Sequence, residues 1–140
     1  MYRHILVATD GSSFSAPAIR SGVALAKALG ARLTGITVLA PYSPGGTLSA
    51  LRGFEQAVRK ESRRALAPFS AEARKQAVPA TTAYVVGGGP WQAILLAARQ
   101  RKCDLVVMAS HGRSGLAGLL LGSETAKLLT HSKIPVLVCR

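Results

Sequence analysis

Residues 104–123 read DLVVMASHGRSGLAGLLLGS. Leu105 to Ala109 is a short apolar, β-branched run that suits a buried strand. Gly112, Gly115, Gly118 and Gly122 then follow, interleaved with Ser110, Ser114 and Ser123. From 123 to 131 (SETAKLLTH) the pattern is that of a short helix. A strand, a glycine-rich loop and a helix start form the arrangement that cradles phosphate. Glycines let the backbone approach an anion, and the open N–H groups of the helix's first turn bind it.

Outward from this stretch, the same alternation of apolar runs and amphipathic segments fills the chain. Residues 4–9 (HILVAT) read as a first strand, closed by the turn and capping cluster Asp10, Gly11, Ser12, Ser13. A helix follows over 14–29, with Ala16, Ile19, Val23 and Ala26 on one face and Gly30 as its stop. A second strand covers 33–40, and a Pro/Ser/Gly loop covers 41–46. A long helix over 48–75 places Leu51, Phe54, Val58, Ala65, Phe69 and Ala73 at helical spacing. Pro68 is expected to kink or split it. A third strand (81–86), the turn Gly87-Gly88-Gly89-Pro90, a helix (91–100), the strand 105–109, the helix 123–131 and a last strand 134–139 (IPVLVC) complete the order. The strands lack polar alternation, so both faces of their sheet are covered. This predicts one α/β domain over 1–140 with a doubly wound parallel sheet. Ligands of such sheets sit beyond the strand C-termini, where the strand order reverses.

Composition narrows the function. The chain has 140 residues, enough for one domain with a real core. Its 18 Lys and Arg against 6 Asp and Glu give a net charge of +12, which attracts anions. The basic residues are spread rather than clustered and read as solvated faces. No apolar run reaches membrane-spanning length. Met1-Tyr2-Arg3-His4 leads straight into a strand with no signal-peptide pattern. Cys103 and Cys139, with His4, His111 and His131, form no metal-ligand spacing. The two cysteines read as inert apolar residues of a reduced, cytoplasmic protein.

Several chemistries are absent. No Gly-Lys-Ser/Thr occurs, and Gly87-x-Gly89 is followed by Pro90, not by a dinucleotide fingerprint. Gly112-Arg113-Ser114-Gly115-Leu116 has leucine where a nucleophile elbow needs glycine. No paired carboxylates, Ser-His-Asp set or catalytic base can be assembled. An enzyme is not expected.

What is present is a longer pattern. Ala109-Ser110-His111-Gly112, nine residues, then Gly122-Ser123 resembles the G-x2-G-x9-G-[S/T] signature of the universal stress protein family, with Ala109 in place of the first glycine. ILVATDGS (5–12) is similar to that family's first strand and turn. Gly88-Gly89-Pro90 with Ile94 resembles its G-x-P-x-x-x-I segment. LLLGS (119–123) and IPVLV (134–138) complete the likeness.

The resemblance implies a five-stranded sheet of order 3-2-1-4-5. It also implies a homodimer paired through the C-terminal strand, from Ile134 to Cys139. It further implies ATP, or another adenine nucleotide, with Mg²⁺. Ala8, Thr9 and Asp10 would then line the adenosine side, with Asp10 near ribose or the metal. Val38 would meet adenine through its backbone, and Met108 and Ala109 would approach the ribose. His111, Gly112, Arg113, Gly122, Ser123 and Thr125 would surround the phosphates. Ala109 disfavours positive φ, and Glu124 sets a carboxylate beside the phosphates. Binding would serve a switch or sensor in the stress response, with ATP hydrolysis slow or absent. Two other readings stay open. One is a dimeric scaffold module without nucleotide; the other is a basic nucleic-acid binder.

Overall fold

The computed structural model describes residues 1–41, 46–112 and 121–140. Its elements are β1 (His4–Ala8), a 3-10 turn (Ser13–Ser15), α1 (Ala16–Leu29), β2 (Arg32–Leu39), α2 (Leu48–Lys75), β3 (Ala80–Val86), α3 (Pro90–Gln100), β4 (Leu105–Ala109), α4 (Ser123–His131) and β5 (Val136–Cys139). All strand pairs are parallel, in the order β3-β2-β1-β4-β5. The fold expected from the sequence is the fold observed.

β1 and β4 lie side by side at the centre, and every residue of both is buried. That is why both read as unbroken apolar runs. Successive side chains point to opposite faces. Ile5, Val7, Leu105, Val107 and Ala109 pack with residues of α1 and the second half of α2. Leu6, Ala8, Val106 and Met108 pack with residues of α3 and α4. The sheet therefore separates two apolar cores, and its centre is buried on both sides.

Local physics explains where the elements depart from expectation. α1 starts at Ala16, after the 3-10 turn, with Pro17 in its first turn where a missing N–H costs nothing. β5 begins at Val136 rather than 134. The Ile134 N–H is taken by Ser132 Oγ at 3.1 Å, and Pro135 has no N–H to offer. Pro68 does not split α2, which is continuous over 28 residues. Buried Ala65, Leu66, Phe69 and Ala73 hold that part of the helix in the core. The expected core position Leu51 is instead 45% exposed. A helix of this length outruns strands of 5 to 8 residues. Its first turns therefore overhang the C-terminal edge of the sheet, and burial begins only at Ser62.

At the opposite edge, His4 Nδ1 lies 3.0 Å from the Arg101 carbonyl and Nε2 2.9 Å from Thr34 Oγ1. Thr34 Oγ1 is in turn 2.9 Å from Thr81 Oγ1. A carbonyl only accepts, so Nδ1 carries the proton and Nε2 accepts from Thr34. A cavity of about 570 Å³ opens beside this row. Burial pushes the Cys103 thiol up to about 11, in keeping with an inert residue.

Candidate functional site

A larger cleft of about 940 Å³ opens at the C-terminal ends of β1, β2 and β4. This is the switch point of the topology. β1 lies between β2 and β4, and the helices that follow β1 and β4 pack on opposite faces. β1 and its turn contribute Ala8, Thr9 and Asp10 to the wall, and β2 contributes Val38. Met108 and Ala109 come from β4, and His111 and Gly112 from the start of the loop. Gly122, Ser123 and Thr125 come from the beginning of α4. All the residues singled out from the sequence thus meet in one cavity, except Arg113, which lies outside the described residues. Glycines 115 and 118 of the loop also lie outside them.

The β1 turn is built around Asp10. Its Oδ1 accepts from the Ser12 N–H at 2.9 Å, the Ser12 hydroxyl at 2.6 Å and the Ser15 hydroxyl at 3.0 Å. Gly11 has φ +79°, and a Cβ there would lie 2.7 Å from the Ala65 Cα. The turn can lie against α2 only because residue 11 has no side chain. On the other side, a Cβ on Gly112 would lie 2.8 Å from Asp10 Oδ2. The β1 turn and the β4 loop therefore touch through a glycine.

The loop after β4 closes at a neck. Ser110 N–H donates to the Cys139 carbonyl at 2.8 Å, and Gly122 N–H donates to the Ser110 carbonyl at 2.7 Å. The buried Thr125 hydroxyl donates to the Ala109 carbonyl at 3.0 Å and reaches the Ser110 carbonyl at 3.3 Å. Gly122, not Ser123, is the N-cap of α4, and Ser123 is its first helical residue. Ser123, Glu124 and Thr125 are therefore the first-turn residues whose N–H groups have no partner within the helix.

Two backbone features face this cleft. The Ile36 carbonyl accepts from Thr9 on the β1 side, and the Leu39 carbonyl accepts from Gly87 on the β3 side. Peptide groups alternate along a strand, so those of Val38 face the β1 side, past the point where β1 has ended. The second feature is Ala109. It pairs with Cys139 inside the sheet, and its side chain joins the core beside α1. Among the described residues, only Ala77 and Lys102 are non-glycines with positive φ. Alanine at 109 therefore meets no backbone conflict.

The polar inventory fits a phosphorylated ligand. His111 Nδ1 lies 3.0 Å from Ser110 Oγ. Its Nε2 is buried and has no hydrogen-bond partner among the described residues. Such an orphaned atom costs free energy until something fills the site. A Cβ on Gly122 would come within 2.9 Å of the Ser110 carbonyl, so a residue without a side chain lets the neck close. No group of three or more His, Cys, Asp or Glu able to hold a metal occurs among the described residues. Mg²⁺, which takes one or two carboxylates plus substrate phosphates, would need only Asp10.

Some wall residues escaped the sequence reading. Phe54, Ala57, Val58 and Glu61 from the overhanging turns of α2 line the cleft, beside Gly88, Pro90 and Ile94 of the segment already singled out in the sequence. Helical periodicity reads Phe54 and Val58 as core and cannot see that the sheet ends beneath them. Glu124 also lines the cleft. Its Oε2 accepts from the Trp91 N–H of α3 at 3.0 Å, and its Oε1 lies 3.8 Å from Lys127 Nζ. Trp91 packs against the core on the α3 and α4 side of the sheet and stacks on His131 of α4 with ring centroids 4.4 Å apart.

Comparison with known proteins agrees with this geometry. The model of the universal stress protein family matches residues 1–140. The universal stress protein of the QAH/OAS sulfhydrylase 3′ region of Thermus aquaticus is 34% identical over 140 residues, covering all of both chains. Universal stress protein YxiE of Bacillus subtilis is 34% identical over 156 residues, again covering all of both. A crystal structure of a universal stress protein in complex with cAMP superposes with a TM-score of 0.76. It has 28% identity and covers 99% of this chain and 97% of its own.

Proposed function

Since the chain belongs to the universal stress protein family, we propose that residues 1–140 act as one adenine-nucleotide-binding domain, taking ATP with Mg²⁺ as a switch or sensor. The observation that carries this reading is the convergence of Thr9, Asp10, Val38, His111, Gly112, Ser123 and Thr125 on one cleft at the switch point. A relative of known structure holds cAMP, which supports an adenine ligand here.

In this reading adenine lies against the Val38 peptide groups and the apolar floor of Ala8 and Met108. The ribose meets Asp10 and Ala109. The phosphates meet His111 Nε2, Gly112, Gly122, Ser123 and the first-turn N–H groups of α4, with Arg113 as a further clamp. Thr125, whose hydroxyl proton is committed to the Ala109 and Ser110 carbonyls, holds these donors in place. Asp10 would hold Mg²⁺, which offsets phosphate charge when bound. The site binds its nucleotide rather than turning it over. We place the protein in the cytoplasm, as a homodimer. Among the described residues, no helix is long and apolar enough to cross a membrane.

One observation favours a second reading, a scaffold without nucleotide: the Glu124 carboxylate stands in the wall of the phosphate end. Equilibrium titration of stripped protein with Mg·ATP, with GTP as control, separates the two. The expected result is adenine-selective, saturable binding that Gly112→Val removes, because a side chain at 112 collides with Asp10. Absence of binding at millimolar ATP would leave the scaffold reading.

A further inference from the structure

We infer that Glu124 is a charge filter, which makes the cleft favour adenine ligands carrying few net negative charges over metal-free ATP. The inference rests on the reading of this cleft as an adenine-nucleotide site and names which members of that class it takes.

Three observations converge. First, the protein has six acidic residues, and three of them, Asp10, Glu61 and Glu124, line this one cleft. No Lys or Arg is among the described residues that line it. Glu61 is paired with Arg64 of its own helix, whereas Glu124 belongs to the helix start itself. Second, Glu124 sits directly after Ser123 in the first turn of α4. That turn is where helix N–H groups would hold phosphate. Third, the carboxylate is fixed there. The Trp91 N–H at the start of α3 donates to Oε2 at 3.0 Å, and Lys127 holds Oε1 at 3.8 Å. The Trp91–His131 stack keeps α3 and α4 in register around it. Glu124 thus occupies, with a built-in anion, part of the positive field of two helix starts.

The physical effect grows with ligand charge. A carboxylate in the cleft wall repels each phosphate charge in turn, and within a Debye length of about 10 Å at 0.1 M salt the repulsion survives screening. Adenosine brings no charge to repel, and a cyclic monophosphate brings one. Mg²⁺ cancels two of the charges on ATP. Metal-free ATP is the species the filter rejects.

The test compares the wild-type protein with Glu124→Gln. Glutamine keeps an oxygen to accept from the Trp91 N–H and removes the charge. Adenosine, cAMP, AMP and ATP are titrated with a chelator present and again with excess Mg²⁺. Thermal melts check that both proteins are folded. The expected result is a gain in affinity that rises with phosphate charge, about tenfold or more for metal-free ATP and about threefold for AMP. Excess Mg²⁺ should shrink the gain for ATP. In the wild-type protein alone, Mg²⁺ should raise the affinity for ATP and leave that for cAMP nearly constant, a readout that needs no variant. An equal change for all four ligands, or none, would overturn the filter while leaving the nucleotide site intact. Failure of all four to bind either protein would overturn the nucleotide reading itself, and the filter with it.

Discussion

His4 is a residue whose protonation the fold biases in the range where histidine titrates. Burial comes first among the causes that lower its pKa below the usual histidine value, and the charge of Arg32 adds to it. The Arg101 carbonyl and Asp104 pull the other way and do not prevail. The folded protein therefore prefers neutral His4, whose Nε2 accepts from Thr34. An unfolded chain protonates the same ring near pH 6.5 and so binds more protons below that value. Stability from this group is present above about pH 6.5 and is lost as pH falls towards the lower folded value. Urea unfolding at about pH 7.5 and about pH 5.5 should show the loss. In His4→Gln, which cannot titrate, the difference between the two pH values should be smaller than in the wild type.

Between elements, the junction of β4 and α4 matters most. Thr125 spans it by donating to the Ala109 carbonyl, and its hydroxyl is buried. Thr125→Val keeps the shape but leaves that carbonyl without its hydroxyl partner, a loss of about 1–2 kcal/mol. A urea denaturation series should show the loss, and nucleotide affinity should weaken with it because α4's first turn is no longer held against the strand. Much of this architecture was legible in the chain. Leu105 to Ala109 and Ile5 to Ala8 are apolar without interruption because both faces of the central strands are covered, and the glycine spacing from Gly112 to Gly122 marked the loop. Other features were hidden for physical reasons. Glu124 and the Trp91 N–H are 33 residues apart, and no local pattern encodes so distant a contact. Pro68 breaks an isolated helix, but here the buried neighbours Ala65, Leu66 and Phe69 outweigh it. The role of Phe54 depends on where the sheet stops, which helical periodicity does not report.

For the molecule as a whole, the open question is how its two sheet edges are used. β3 and β5 are the outer strands. β5 is short, and its Leu137 is 39% exposed. An edge strand with unpaired backbone groups and an exposed leucine invites a second copy, and we propose that β5 pairs two protomers. Sedimentation should give a dimer, and Leu137→Lys should shift it towards monomer. A wild-type monomer at micromolar concentration would remove this proposal. The neck at Ser110 bears on where the last helix can begin. Its carbonyl is held by Gly122 and Thr125, so the ends of the loop are fixed independently of what lies between them. The end of β4 and the start of α4 are thus joined by this contact itself as well as by the chain between them. It acts as a clasp that keeps α4 seated at the C-terminal end of β4.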